Sequence, residues 1–172
     1  MPRLKEILNS YQEYHTEKIT RITHFIGIPL IIFSIILFLS WFSFSLNPII
    51  SIPLVWFAII ILTIYYMKID RLIGVILAVF FIILALIAGI GGHYEVGKSS
   101  FITFLITFIG GWLIQLIGHF FEKRKPAFMD NFMQIFAAPV FLCAEILIKF
   151  GIRTELGKYL QKSEQTNEIS YN

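Results

Sequence analysis

A chain of 172 residues that is 57% hydrophobic and only 15% charged, with a mean hydropathy of +0.77, is too apolar for an ordinary soluble enzyme or a disordered segment. Its length suits one domain, and its single cysteine, Cys143, cannot close an internal disulfide. The net charge of +3 calls for no nucleic-acid partner.

The first 21 residues carry charges throughout and lack an apolar core, which excludes a secretory signal peptide. Leu4, Ile7, Leu8 and Tyr11 follow the i, i+3, i+4, i+7 spacing of one helical face, opposite Lys5, Glu6, Asn9, Gln12 and Glu13. This is the pattern of an in-plane helix at a membrane surface. His15 continues the apolar face.

No Asp, Glu, Lys or Arg occurs over the 46 residues from Ile22 to Met67, or over the 23-residue runs Leu72 to Tyr94 and Ser99 to Phe121. A crossing helix needs about 20 mainly apolar residues, so the first run accommodates two crossings, broken near Asn47-Pro48 and Pro53. Four transmembrane helices are expected near 24–45, 53–67, 72–90 and 101–120. A fourth run, Asn131 to Ala144, carries Asn131, Gln134 and Pro139, with Glu145 directly after it. A re-entrant or interfacial helix under the bundle is favoured there over a fifth crossing, which would move four C-terminal basic residues outside. The expected fold is therefore all-α: a polytopic membrane helix bundle of four transmembrane helices, an N-terminal interfacial helix and a C-terminal re-entrant or fifth helix. Residues 1–157 form one domain, and 158–172 form a polar, weakly ordered tail.

With a cytoplasmic N-terminus, thirteen of the fourteen Lys and Arg fall on the cytoplasmic side, and only Lys98 lies outside. Both termini are then cytoplasmic. The absence of a recognisable retention signal and the strong Ile, Phe and Lys usage favour a bacterial inner membrane over an endoplasmic reticulum.

This topology gathers His15, His24 and His119 at one boundary and places His93, after Gly89-Ile-Gly-Gly92, at the opposite one. Polar groups at membrane depth usually face a bundle interior or a site, and imidazole is a common ligand for iron, zinc and copper. Glu122, three residues after His119, shares its helix face. Isolated interfacial histidines also serve simply as hydrogen-bond partners to lipid or backbone, so spacing alone leaves both roles open. His15 and His24, nine residues apart, would oppose each other on one straight helix, so a shared site requires a bend between them. Gln115, one turn before His119, suits either a hydrogen bond to a ligand or an interhelical contact. Gly110-Gly111 and Gly118 permit close helix packing. Trp41, Trp56 and Trp112 suit packing or interface anchoring, and Cys143 reads as core. The cluster Glu122-Lys-Arg-Lys-Pro126 serves topology and lipid contact, or captures an anionic headgroup. Glu145 calls for a partner, a lysine or a site metal. Phosphate-binding glycine loops, nucleophile elbows and Cys-x-x-Cys pairs are absent.

Two separated motifs carry a family resemblance. Tyr11-Gln-Glu-Tyr-His15 followed by Thr23-His24-Phe-Ile-Gly27-Ile-Pro29, and later Trp112-Leu-Ile-Gln115-Leu-Ile-Gly118-His119-Phe-Phe-Glu122-Lys-Arg-Lys-Pro126-Ala127, resemble the motifs of the Mpo1-like (DUF962) membrane proteins. Ala138-Pro139-Val-Phe141 and Glu145 also fit, so the resemblance runs from about residue 3 to 155. The family pattern usually has Asn five residues after the first His, where this chain has Thr20, and His93 belongs to neither motif. The resemblance implies an iron(II)-dependent dioxygenase that shortens 2-hydroxy fatty acids by one carbon, with Fe(2+) as cofactor and O2 as co-substrate. It implies His15, His24 and His119 as iron ligands, Glu122 as a further ligand or a partner to one, and Gln115 beside them. Lys123, Arg124, Lys125 and Tyr11 are implied as contacts for the substrate headgroup. A non-catalytic lipid-binding or scaffolding membrane protein is the alternative. A small transporter or channel ranks last, because helices one and three carry no charge at mid-membrane.

Overall fold

The computed structural model describes residues 2–12, 18–45, 47, 50–122, 126 and 133–160. The helices are α1 (Pro2–Gln12), α2 (Lys18–Ser40), α3 (Leu54–Ile69), α4 (Arg71–Ile90), α5 (Lys98–Glu122), α6 (Gln134–Lys149) and the short α7 (Thr154–Leu160). A two-stranded antiparallel hairpin, β1 (Ser43–Ser45) with β2 (Ser51–Pro53), joins α2 to α3. The all-α membrane bundle expected from the sequence is the architecture observed.

Three helices, Lys18–Ser40, Arg71–Ile90 and Lys98–Phe121, are long and apolar enough to cross a bilayer. The remaining expected crossing, α3, has 16 residues, about 24 Å of helix against about 30 Å of hydrocarbon. The hairpin explains the difference. Residues expected to extend the first crossing to 45 instead pair Ser43 with Pro53 and Ser45 with Ser51, and Asn47 Oδ1 accepts from the Ile50 N–H at 2.7 Å. At its other end α2 starts at Lys18, six residues before the expected start, because Lys18 and Arg21 interrupt a charge-free run without interrupting a helix.

Large apolar side chains such as Ile61, Val79, Ile83, Ile106 and Ile109 point outward. Such a surface suits hydrocarbon rather than water. Inside, Leu37, Val55, Ile73, Phe81 and Ala85 build a core between α2, α3 and α4. Helices α3 and α4 turn back on each other so closely that a Cβ on Gly74 would lie 2.6 Å from the Met67 amide nitrogen.

Helix α6 runs across one end of this bundle. At its start Gln134 Nε2 donates to Ser10 Oγ of α1 at 3.2 Å. Further along, Glu145 meets Arg21 near the start of α2. Just beyond its end Arg153 meets Asp70 at the α3–α4 turn. A helix anchored at one bundle end along its whole length fits the re-entrant or interfacial alternative, and the chain then bends by 112° into α7 through Gly151, whose φ is +73°. Helix α1 packs beside it: Leu4 and Leu8 are fully buried, Asn9 Nδ2 donates to the Tyr159 hydroxyl at 2.8 Å, and Lys5 Nζ sits 4.6 Å from the centre of the Tyr159 ring. The apolar stripe of α1 is thus turned into the bundle. Helix α7 carries packed structure to Leu160, three residues past the boundary expected at Gly157; residues 161–172 lie outside the described residues.

Asp70 fastens this end. Its Oδ1 accepts from the Leu72 and Ile73 amides, at 3.0 and 3.1 Å, and so caps α4. The Arg153 guanidinium nitrogen Nη2 reaches both carboxylate oxygens, at 3.1 and 3.0 Å. Truncating one member of a buried ion pair leaves the other without compensation. Asp70→Ala is expected to destabilise the fold by about 3 kcal/mol, read as a lowered unfolding midpoint in detergent. A midpoint equal to wild type would show that the pair does not hold this turn.

Candidate metal centre at the seam of α2 and α5

The site rests on how closely α2 and α5 approach. An ideal Cβ on Gly27 would lie 2.8 Å from the Gly111 carbonyl oxygen, and one on Gly111 would lie 3.0 Å from the Gly27 carbonyl oxygen. A Cβ on Gly118 would collide with the Thr23 hydroxyl. Small residues let two backbones meet where the bilayer gives apolar faces little reason to associate. Gly110, by contrast, faces open space.

At one end of this seam the two backbones place His24 and His119 together. Their ring centroids are 4.9 Å apart with planes at 86°, and the residues are 3% and 5% exposed. Thr20 organises both sides of the pair. Its hydroxyl, fully buried, donates across the seam to the Gly118 carbonyl at 3.1 Å, one residue before His119. Its carbonyl lies 2.7 Å from His24 Nδ1. A carbonyl can only accept, so His24 Nδ1 carries the proton, which in the neutral ring leaves the lone pair on Nε2. Metal-binding histidines are commonly oriented by this kind of ring-nitrogen bond to a carbonyl. The position where the family pattern usually has Asn therefore still supplies a hydrogen bond, through a hydroxyl. Gln115 is half-buried, and its Cγ would lie 2.7 Å from a Cβ on Gly27, so the missing side chain on α2 makes room for it one turn before His119.

The site residues expected from sequence divide clearly. His24, His119 and Gln115 are brought together on the seam. His15 and Lys123, Arg124 and Lys125 lie outside the described residues, as do the side chains of Tyr11 and Glu122. Among the described residues no group of three His, Cys, Asp or Glu is placed to hold a metal ion; the pair offers two imidazoles. Helix α1 ends at Gln12 and α2 begins at Lys18; the segment 13–17 between them, where a bend is expected, lies outside the described residues. His93 is remote: its carbonyl accepts from Trp41 Nε1 at 3.1 Å, and Trp41 lies 17 residues beyond His24, about 25 Å along α2. Cys143 is buried in the core.

Two contributors carried no site signal in the sequence. Thr20 looked like one residue of a β-branched run, and Arg21 like one of many topology charges. Arg21 Nη1 lies 3.4 Å from Glu145 Oε1, so the partner expected for Glu145 as a lysine or a metal is an arginine.

With this geometry in view, comparison with known proteins is specific. A family model described as 2-hydroxy-palmitic acid dioxygenase Mpo1-like matches residues 1–150. The 2-hydroxy-palmitic acid dioxygenase MPO1 of Saccharomyces cerevisiae is 30% identical over 164 residues, covering 92% of this chain and 87% of the yeast protein. No solved structure matches.

Proposed function

Because the chain belongs to the 2-hydroxy-palmitic acid dioxygenase Mpo1-like family, we propose that it is a membrane-embedded, iron(II)-dependent dioxygenase that shortens 2-hydroxy fatty acids by one carbon. The observation that carries this reading is the buried His24–His119 pair, oriented by Thr20 on a seam of glycines. The reaction balances without a further reductant: R–CH(OH)–COOH and O2 give R–COOH, CO2 and H2O.

The residues suit the metal. Two imidazoles in a buried interface are a reasonable part of an iron(II) donor set, and His15 is the third ligand in this proposal, with Glu122 a fourth ligand or a partner to one. Bound iron would supply activation of O2. The chain supplies the rest. Thr20 fixes the His24 ring, the glycine seam excludes water, and Gln115 offers an amide beside His119. Lys123, Arg124, Lys125 and Tyr11 would receive the acidic headgroup at the membrane surface, while the acyl chain lies along the apolar helices. The Lys and Arg distribution supports cytoplasmic termini, and the Ile, Phe and Lys usage supports a bacterial inner membrane.

The test uses purified full-length protein loaded anaerobically with iron(II). Addition of 2-hydroxypalmitate and air is expected to consume one O2 per acid and yield the 15-carbon acid by mass spectrometry. No oxygen uptake, with the lipid bound but unchanged, would favour the non-catalytic lipid-binding alternative instead.

A further inference from the structure

Glu145 is only partly explained by its ion pair. Its Oε1 faces Arg21 at 3.4 Å, long for a charge-assisted hydrogen bond, which runs to about 2.7–2.9 Å. Its Oε2 is buried and has no hydrogen-bond partner among the described residues. A buried carboxylate oxygen without a donor is unfavourable. A purely structural tie between α6 and α2 would account for Oε1 and leave Oε2 unused.

The location gives the pair a use. Arg21 is three residues before His24 on α2, about 4.5 Å along the helix axis. Glu145 comes from α6, which runs across this end of the bundle. Together they place a guanidinium and a carboxylate at the same end of the bundle as the histidine pair, at the boundary where an acidic lipid headgroup would sit. A guanidinium carries five N–H donors in a fixed fork and can hold two carboxylates at once. A 2-hydroxy acid has a complementary headgroup: a carboxylate that only accepts, and on the adjacent carbon a hydroxyl that can donate. An unsubstituted fatty acid has the first group and lacks the second.

We propose that Arg21 and Glu145 form the headgroup-recognition pair of the site, with Arg21 donating to the substrate carboxylate and Glu145 Oε2 accepting from the 2-hydroxyl. The inference rests on the proposed substrate class and adds the residues that select it. Glu145 is then a specificity residue: it distinguishes 2-hydroxy acids from ordinary fatty acids, which abound in any membrane. A site built to accept a hydrogen bond from a substrate hydroxyl rejects the analogue lacking it, because its own buried group is left unpaired.

Equilibrium binding to full-length protein in detergent, under argon so that nothing turns over, provides the test. The probes are 2-hydroxypalmitic and palmitic acid. Wild type is expected to prefer the hydroxy acid by about tenfold or more. Glu145→Gln is expected to weaken the hydroxy acid by about tenfold and leave palmitic acid nearly unchanged. Arg21→Lys keeps the charge, loses the fork, and is expected to weaken both acids. Equal weakening of both acids by Glu145→Gln, or no effect on either, would overturn the proposal and leave the pair as a structural tie. If Glu145→Gln fails to fold, Arg21→Lys decides: unchanged binding of both acids overturns the proposal. The two readings fail separately. A Glu145-dependent preference without oxygen consumption removes the dioxygenase and keeps the recognition pair; oxygen consumption with a preference that Glu145→Gln does not alter does the reverse.

Discussion

Replacing His119 or His24 by alanine is expected to lower oxygen consumption with 2-hydroxypalmitate by at least about 100-fold. Loss of residues that merely orient metal ligands already reduces metal affinity or activity by about 10–100-fold, and removal of a ligand should exceed that. The two rings lie 4.9 Å apart inside a closely packed seam, so alanine also leaves a small void. His119→Gln, which keeps most of the volume, is expected to remain folded and still lose turnover. His93→Ala is the matching control: His93 lies at the opposite end of the bundle, where its carbonyl meets Trp41, and turnover is expected to stay near wild type. Wild-type activity in His119→Gln would remove the histidine pair from the chemistry.

Gly111→Ala is expected to damage both stability and turnover, whereas Gly110→Ala is expected to be harmless. The two positions are adjacent on α5 and differ in what a Cβ would meet. At Gly111 it would lie 2.8 Å from Ile31 Cγ1, 3.0 Å from the Gly27 carbonyl oxygen and 3.1 Å from the Ile31 amide nitrogen. Two of these are backbone atoms that cannot rotate away, so α5 must move. Overpacking of this kind typically costs about 1–3 kcal/mol, and a shift of about 1 Å in a positioned group can lower a rate by about 100-fold. At Gly110 nothing lies within 4 Å, and alanine there is expected to stabilise the helix by about 0.5–1 kcal/mol. Thermal unfolding and oxygen uptake on the two variants check this. Equal behaviour of both would mean that the seam is not as tight as these distances require.

The bundle was legible in the sequence because charge is so scarce. Gaps between charged residues marked α4 and α5 closely, since a helix in hydrocarbon excludes charge along its length. The same criterion misjudged boundaries where charge and helix part company: α2 extends back through Arg21 to Lys18, and an apolar stretch after Ser40 forms a hairpin rather than helix. The meeting of His24 with His119 followed from topology, since one lies near the start of α2 and the other near the end of α5, at the same end of the bundle. What holds them did not. The Thr20 hydroxyl reaches Gly118 across 98 positions of sequence, and the Arg21–Glu145 contact spans 124; both depend on how neighbouring helices are rotated about their axes, which periodicity within one helix does not specify. Nor does composition separate Gly110 from Gly111, although one faces open space and the other a backbone.

The most direct measurement is iron content. Full-length protein purified anaerobically with iron(II) should carry about one iron per chain, the stoichiometry of a single site built from His15, His24 and His119, while His119→Gln purified in parallel should carry almost none. Wild type without iron, or a variant that retains as much as wild type, would contradict the account.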